Sequence, residues 1–148
     1  MIVEAQVTMN GTRAAVWSAV SDIRGAADIL SGVQKIEILE KPATGLVGLR
    51  WRETRLFFGE SAAVEKWITA AVEGELYETR AELDGFVFIT NLGLSGIDGD
   101  VVVTSSHETR PQGLLAKVKS LPMIFFRGVL RKAILEDLDD LKRFVERR

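Results

Sequence analysis

From residue 33 to residue 108 the chain reads as strands broken by tight turns, and from residue 114 onward it reads as helix. This order constrains the fold more than any other feature. Strand-like runs cover 33–39, 46–56, 60–72, 75–83, 86–94 and 101–108. Between them stand turn residues: Pro42 and Gly45, Gly59, Asp84-Gly85, and the Gly96, Asp98 and Gly99 group. Asp-Gly between two apolar runs is a strong hairpin signal, and successive strands joined by tight turns make an antiparallel meander. A helix over 62–72 is the main local competitor, because its alanines and glutamate permit one. Beyond Pro111-Gln112-Gly113, the residues Phe126, Leu130, Ile134, Leu138, Leu141 and Val145 recur every three or four positions, an amphipathic helical stripe. The opposite face carries Arg131, Glu136, Asp139, Asp140, Arg143 and Arg147, with Asp139 and Arg143 one turn apart in the favourable orientation.

Ahead of the meander, 2–9 alternates as a strand and Asn10-Gly11 turns. Thr12 is placed to cap a short helix carrying Val16, Trp17 and Val20. A second short helix is expected over 26–30, ended by Gly32. The packing solution for these parts is an α+β fold in which about seven antiparallel strands curve around the long C-terminal helix. A curved sheet of this kind either keeps a mostly apolar pocket beneath the helix or fills the space with side chains. The 148 residues fit one domain, 1–148, with a core large enough to need no disulfide. There is no cysteine, and therefore no thiol nucleophile or thiolate metal ligand. The formal net charge of -2 gives no global attraction to nucleic acid. No run is apolar for long enough to cross a membrane, and the opening residues lack a signal-peptide pattern. The expectation is a soluble cytoplasmic protein without integral membrane association.

Residues 50–55 form the most unusual stretch. In a strand, Trp51, Glu53 and Arg55 share one face, so an aromatic ring and two charges point the same way. If that face lines the pocket, Trp51 flanks an apolar ligand while Glu53 and Arg55 meet its polar end. Arg55 is also placed to pair with Glu53 and keep it ionised. The alternative is a solvated strand face with weak salt bridges. Glu53 is the best acid or base candidate, provided that its pKa is raised toward neutrality. The lone histidine, His107, is the second catalytic candidate; without a second nitrogen or sulfur ligand it does not define a zinc site. Phe86 and Phe88 share a strand face and, with Tyr77 and its hydroxyl, are candidates to line a cavity. Met123 is adaptable enough to line a variable pocket, Leu121-Pro122 suits a gate, and Phe126 and Leu130 begin the helical stripe that would face a ligand. Lys117, Lys119, Arg127 and Arg131 flank this apolar patch and suit an anionic lipid headgroup; a buried helix start with surface lysines is the alternative. Asp137, Asp139 and Asp140 read as a solvated helical face, not a calcium loop. No phosphate-binding loop, nucleophile elbow or RNA-binding signature is present.

Several segments resemble one superfamily. Thr12-Arg13-Ala14-Ala15-Val16-Trp17-Ser18-Ala19-Val20-Ser21-Asp22 is similar to the first helix of the START-related and polyketide cyclase/dehydrase-like proteins (SRPBCC proteins), which share the helix-grip fold of the birch-pollen allergen. Ile29-Leu30-Ser31-Gly32-Val33 resembles the entry to their second strand, without the usual tryptophan. Gly48-Leu49-Arg50-Trp51-Arg52-Glu53-Thr54-Arg55 is similar to a segment of an uncharacterised bacterial branch. Pro111-Gln112-Gly113-Leu114-Leu115-Ala116-Lys117 and the run from Leu130 to Lys142 resemble its C-terminal helix. The resemblance implies binding or transport of a small hydrophobic molecule, such as a lipid, polyketide or isoprenoid, in a cavity between sheet and helix. A cyclase/dehydratase using the same cavity and a noncatalytic interaction domain are the alternatives. It implies no cofactor, and an exposed strand edge or the apolar helix patch leaves room for a homodimer.

Overall fold

A computed structural model describes residues 1–57, 59–120 and 125–147. Seven strands form one antiparallel sheet in the order β1-β7-β6-β5-β4-β3-β2. The strands are β1 (Ile2–Met9), β2 (Val33–Glu40), β3 (Arg50–Phe57), β4 (Glu60–Val72), β5 (Leu76–Leu83), β6 (Phe86–Ile97) and β7 (Asp100–Pro111). Strands β2 to β7 run as a meander, and β7 then pairs with β1 at the far edge. Helices α1 (Arg13–Val20) and α2 (Ala26–Ile29) carry the chain from one edge to the other. Helices α3 (Gly113–Ser120) and α4 (Arg127–Glu146) follow the sheet.

Local chemistry accounts for the borders. Thr12 Oγ1 accepts from the Ala15 backbone N–H at 3.0 Å and caps α1. Asp84 and Gly85 both take positive φ, 51° and 81°, as a two-residue hairpin of this hand requires. Alternation extends the third strand back to residue 46, but the backbone turns through Gly45 and Gly48 at φ 69° and 94°, so β3 begins at Arg50. The helical alternative for 62–72 gives way to strand pairing on both sides of β4. Arg143 pairs with Asp140 rather than with Asp139.

The stripe on α4 is buried at Ile134, Leu138, Leu141 and Val145. It closes over Val3, Ala5 and Met9 of β1 and Val16, Trp17 and Val20 of α1 in one core. Arg127 and Arg131 donate to the carbonyls of Ile2 and Glu4, which occupies part of the outer edge of β1. Trp17 locks α1 onto the sheet. Its ring meets Tyr77 edge-on at 6.0 Å, and its indole N–H donates to Glu73 at 3.2 Å.

Candidate functional site

Strand alternation aims one residue from each of five neighbouring strands at a shared space: Trp51 on β3, Lys66 on β4, Tyr77 on β5, Thr90 on β6 and His107 on β7. That convergence means the sheet curves. Ile23 and Leu30, near α2, and Ile134, Asp137 and Leu138 of α4 complete the wall. The cavity has a volume of about 120 Å³.

One side of the cavity is a four-charge cluster. Glu53 is buried and accepts three hydrogen bonds: from the Trp51 indole at 3.3 Å, from Arg55 Nε at 2.5 Å and from Lys66 Nζ at 2.9 Å. The other two nitrogens of Arg55 form a fork onto Asp137 at 3.2 and 2.8 Å. Asp137 stands on α4, so the fork ties β3 to the helix above it. Two anions and two cations balance. Burial alone would raise the Glu53 pKa, but the charges of Lys66 and Arg55 and their hydrogen bonds outweigh it and hold the carboxyl at about 2. Arg55 is raised in turn: its burial is outweighed by Asp137 and Glu53.

His107 lies beside this cluster, with Ser105 Oγ at 2.9 Å from Nε2 and Thr90 Oγ1 at 3.5 Å from Nδ1. Burial lowers its pKa, and the cations of Lys66 and Arg55 lower it further, to about 4. The imidazole is therefore neutral at pH 7. The sign of the stability effect follows. A group with a depressed folded pKa contributes fully above its ordinary value of 6.5, and the contribution is lost as pH falls toward 4. For a ring that is only partly buried, the loss is expected to be about 2 kcal/mol. Urea unfolding of the wild type and of His107→Gln between those two pH values should show a steeper decline in the wild type. Parallel curves would mean that the folded imidazole titrates normally.

The structure sorts the expected site residues. Trp51, Glu53, Arg55, Tyr77 and His107 line the cavity together. Glu53 does not fit the acid or base role proposed for it, because two adjacent cations keep it ionised. The Tyr77 hydroxyl already donates to the Val20 carbonyl at 2.7 Å, and burial raises its pKa, helped by the Glu53 charge. Phe86 and Phe88 share a face, their rings 6.3 Å apart, but the cavity wall on β6 is made by Thr90 and Leu92. At the rise of a strand, Phe88 stands about 7 Å short of Thr90. Phe126 is exposed, and Leu130 packs partly buried against the core without lining the cavity. The cavity meets α4 at Ile134 and beyond, about 12 Å along the helix from Phe126. Met123, with the gate residues Leu121 and Pro122, lies outside the described residues.

The lining groups that escaped the reading of the sequence include Lys66, Asp137, Ser105, Thr79 and Thr90. Lys66 faces inward only because β4 pairs Trp51 with Lys66, a register that no short-range pattern displays. Asp137 and Asp140 are not a solvated face. Asp137 holds Arg55, and Asp140 accepts from both the backbone N–H and the hydroxyl of Ser31 at 2.9 Å. Asp137 directly precedes Leu138 of the buried stripe, which is the one signal that could have placed it at the border. Ser105 shares the inward face of β7 with His107. Among the described residues no cluster of histidine and acidic side chains is suited to a metal ion, and no helix is long and apolar enough to cross a membrane.

No protein-family model and no curated protein sequence matches this chain. Solved structures do. A START superfamily protein from Mycobacterium smegmatis superposes with a TM-score of 0.82 at 14% identity, covering 99% of this chain and 97% of its own. The Zhui aromatase/cyclase from Streptomyces sp. R1128 gives 0.77 at 22% identity, covering 100% and 94%. A norcoclaurine synthase from Thalictrum flavum, solved with a transition-state analogue, gives 0.71 at 15%, covering 99% and 94%. Binding and catalysis both occur on such a scaffold, so the likeness speaks to architecture rather than chemistry. With its seven-stranded antiparallel sheet closed by a long C-terminal helix, the chain has the helix-grip fold of START-like proteins and polyketide aromatase/cyclases.

Proposed function

We propose that the chain binds a small, mainly apolar molecule bearing one oxygen acceptor. The observation that carries this reading is the cavity itself, walled largely by apolar side chains such as Trp51, Leu92, Ile134 and Leu138 and on one side by the four-charge cluster. Arg55 gives its Nε–H to Glu53 and one N–H from each terminal nitrogen to Asp137, which fixes the orientation of its guanidinium plane. Lys66 has three N–H groups and gives one to Glu53, so it keeps donors for a ligand. The four charges already cancel, which suits a neutral acceptor such as a carbonyl better than a full anion. A volume of about 120 Å³ matches one small ring. A longer lipid, polyketide or isoprenoid requires α2 and α4 to move apart.

Binding is better supported than cyclase chemistry. General acid or base catalysis works best with a group that titrates near the operating pH. Glu53 at about 2 and His107 at about 4 both lie well below neutrality.

Titration with acetophenone and with ethylbenzene, followed by tryptophan fluorescence, tests the reading. The two probes are similar in shape and differ in the carbonyl. A hydrogen bond from a charged donor is worth about 1.5–3 kcal/mol, so acetophenone is expected to bind at least about tenfold more tightly. Lys66→Met should abolish the preference while leaving ethylbenzene affinity nearly unchanged. Failure of both probes to bind up to their solubility would sink the cavity reading. A preference that survives in Lys66→Met would remove Lys66 from it. Protein purified from its native host, extracted under denaturing conditions and analysed by mass spectrometry, should then yield the natural ligand.

A further inference from the structure

Helix α3 is built inside out. Among its described side chains the buried one is an alanine, Ala116, packed near the Gly85 turn, while Leu114, Leu115 and Val118 stand 80%, 69% and 58% exposed. At 100° per residue these three occupy one arc of about 100°, and Ala116 lies on the other side of the helix. The approach to α4 continues the pattern: Phe125 is 86% exposed and Phe126 56%, with Val129 and Lys132 exposed on the first turns. This is not the buried helix start that the sequence also allowed. Large apolar side chains facing water on α3 and at the start of α4 mark an interaction surface.

The charge of the same stretch selects its partner. Residues 111–135 hold five cations (Lys117, Lys119, Arg127, Arg131 and Lys132) and no acidic residue. Of the 19 basic and 21 acidic residues in the chain, 14 and 21 therefore fall elsewhere, so a local charge of +5 sits on a molecule that is otherwise at -7. A second copy docking through this face would bring two such clusters together, since a two-fold interface opposes like patches. Leucine, valine and phenylalanine side chains exposed among basic residues match the composition of helices that lie in the interface of an anionic bilayer. The acidic remainder of the molecule would be turned away from the lipid surface.

We propose that α3 and the start of α4 form a membrane-docking surface for bilayers rich in anionic lipid. Exposed apolar side chains enter the headgroup boundary and the basic residues meet lipid phosphates. The inference is independent of what the cavity binds.

Co-sedimentation of the whole protein with vesicles tests it. Phosphatidylcholine vesicles are compared with phosphatidylcholine–phosphatidylglycerol vesicles at low and at physiological salt. Binding is expected to the anionic vesicles, to weaken with salt, and to fall about fivefold in Lys132→Gln, in line with the loss of one cation near the surface. Leu115→Glu and Phe125→Glu, both at exposed positions where folding is not at stake, should each reduce it at least tenfold. Their circular dichroism should match the wild type. No binding to anionic vesicles at low salt would overturn the proposal, as would equal binding to both vesicle types or unchanged binding by the two glutamate variants. Self-association abolished by Leu115→Glu, without vesicle binding, would assign the surface to a second copy instead. Retention by poly-glutamate without vesicle binding would assign it to an acidic protein.

Discussion

Replacing Glu53 with glutamine is expected to lower the unfolding free energy by about 3 kcal/mol at pH 7. The carboxylate is nearly inaccessible and stands between two cations that are themselves mostly covered, with Arg55 at 19% and Lys66 at 25% side-chain exposure. Neutralising it leaves Lys66 without its anionic partner and Arg55 with only Asp137. The pH dependence distinguishes this from a simple packing defect. The folded pKa of Glu53 is about 2 against an ordinary 4.5. Its contribution is therefore complete above 4.5 and is lost as pH falls toward 2. The gap between wild type and variant, followed by urea unfolding, should close over that interval. A gap that stayed constant would mean that the carboxylate is not held ionised by its neighbours. Glu65→Gln provides the contrast. Glu65 pairs with Arg52 at 3.1 Å on the exposed surface, where such pairs contribute at most about 1 kcal/mol.

The second large effect is expected at Leu138. It is 1% exposed, belongs to the stripe of α4 and lines the cavity. Truncation to alanine removes buried methyl groups and enlarges a void that cannot collapse, because the Asp137–Arg55 fork holds the helix at that level. The expected loss is about 3–4 kcal/mol. The same change should widen ligand choice. Leu138→Ala is expected to bind 2-acetonaphthone, a two-ring ketone, more tightly than the wild type does. A stability loss below about 1 kcal/mol would show that α4 is loosely packed there. Unchanged affinity for the two-ring ketone would show that Leu138 does not bound the site.

The fold is readable where a local rule decides it. The alternation of β1, the Thr12 cap, the Asp84-Gly85 turn and the three-four stripe of α4 are each settled within a few residues. Trp51, Glu53 and Arg55 are readable as a common face for the same reason, since i and i+2 in a strand must share one. Lys66 and Asp137 come from elements 11 or more residues away in sequence and reach Glu53 and Arg55 only through pairing register and helix placement. The depressed pKa of Glu53 follows from Lys66 across the β3–β4 pairing together with Arg55 on its own strand, and without the long-range half of that pair the sequence cannot show that its environment points the opposite way from a general acid's. Phe126 illustrates the converse limit. Periodicity assigns it to the apolar stripe, but periodicity sets an angle around the helix axis and not how far along that axis the cavity extends.

The cluster of Glu53, Arg55, Lys66 and Asp137 also bears on how the sequence can drift. Each of the four is satisfied by at least one of the others. A lineage that altered any one of them alone would pass through a protein with an uncompensated charge in its interior, at a cost comparable to a large part of a domain's net stability. Replacement by an apolar pair of similar volume carries no such cost. The four positions are thus coupled in inheritance: drift at this site proceeds by paired exchange, acid together with base, while the surrounding strands remain free to vary one residue at a time.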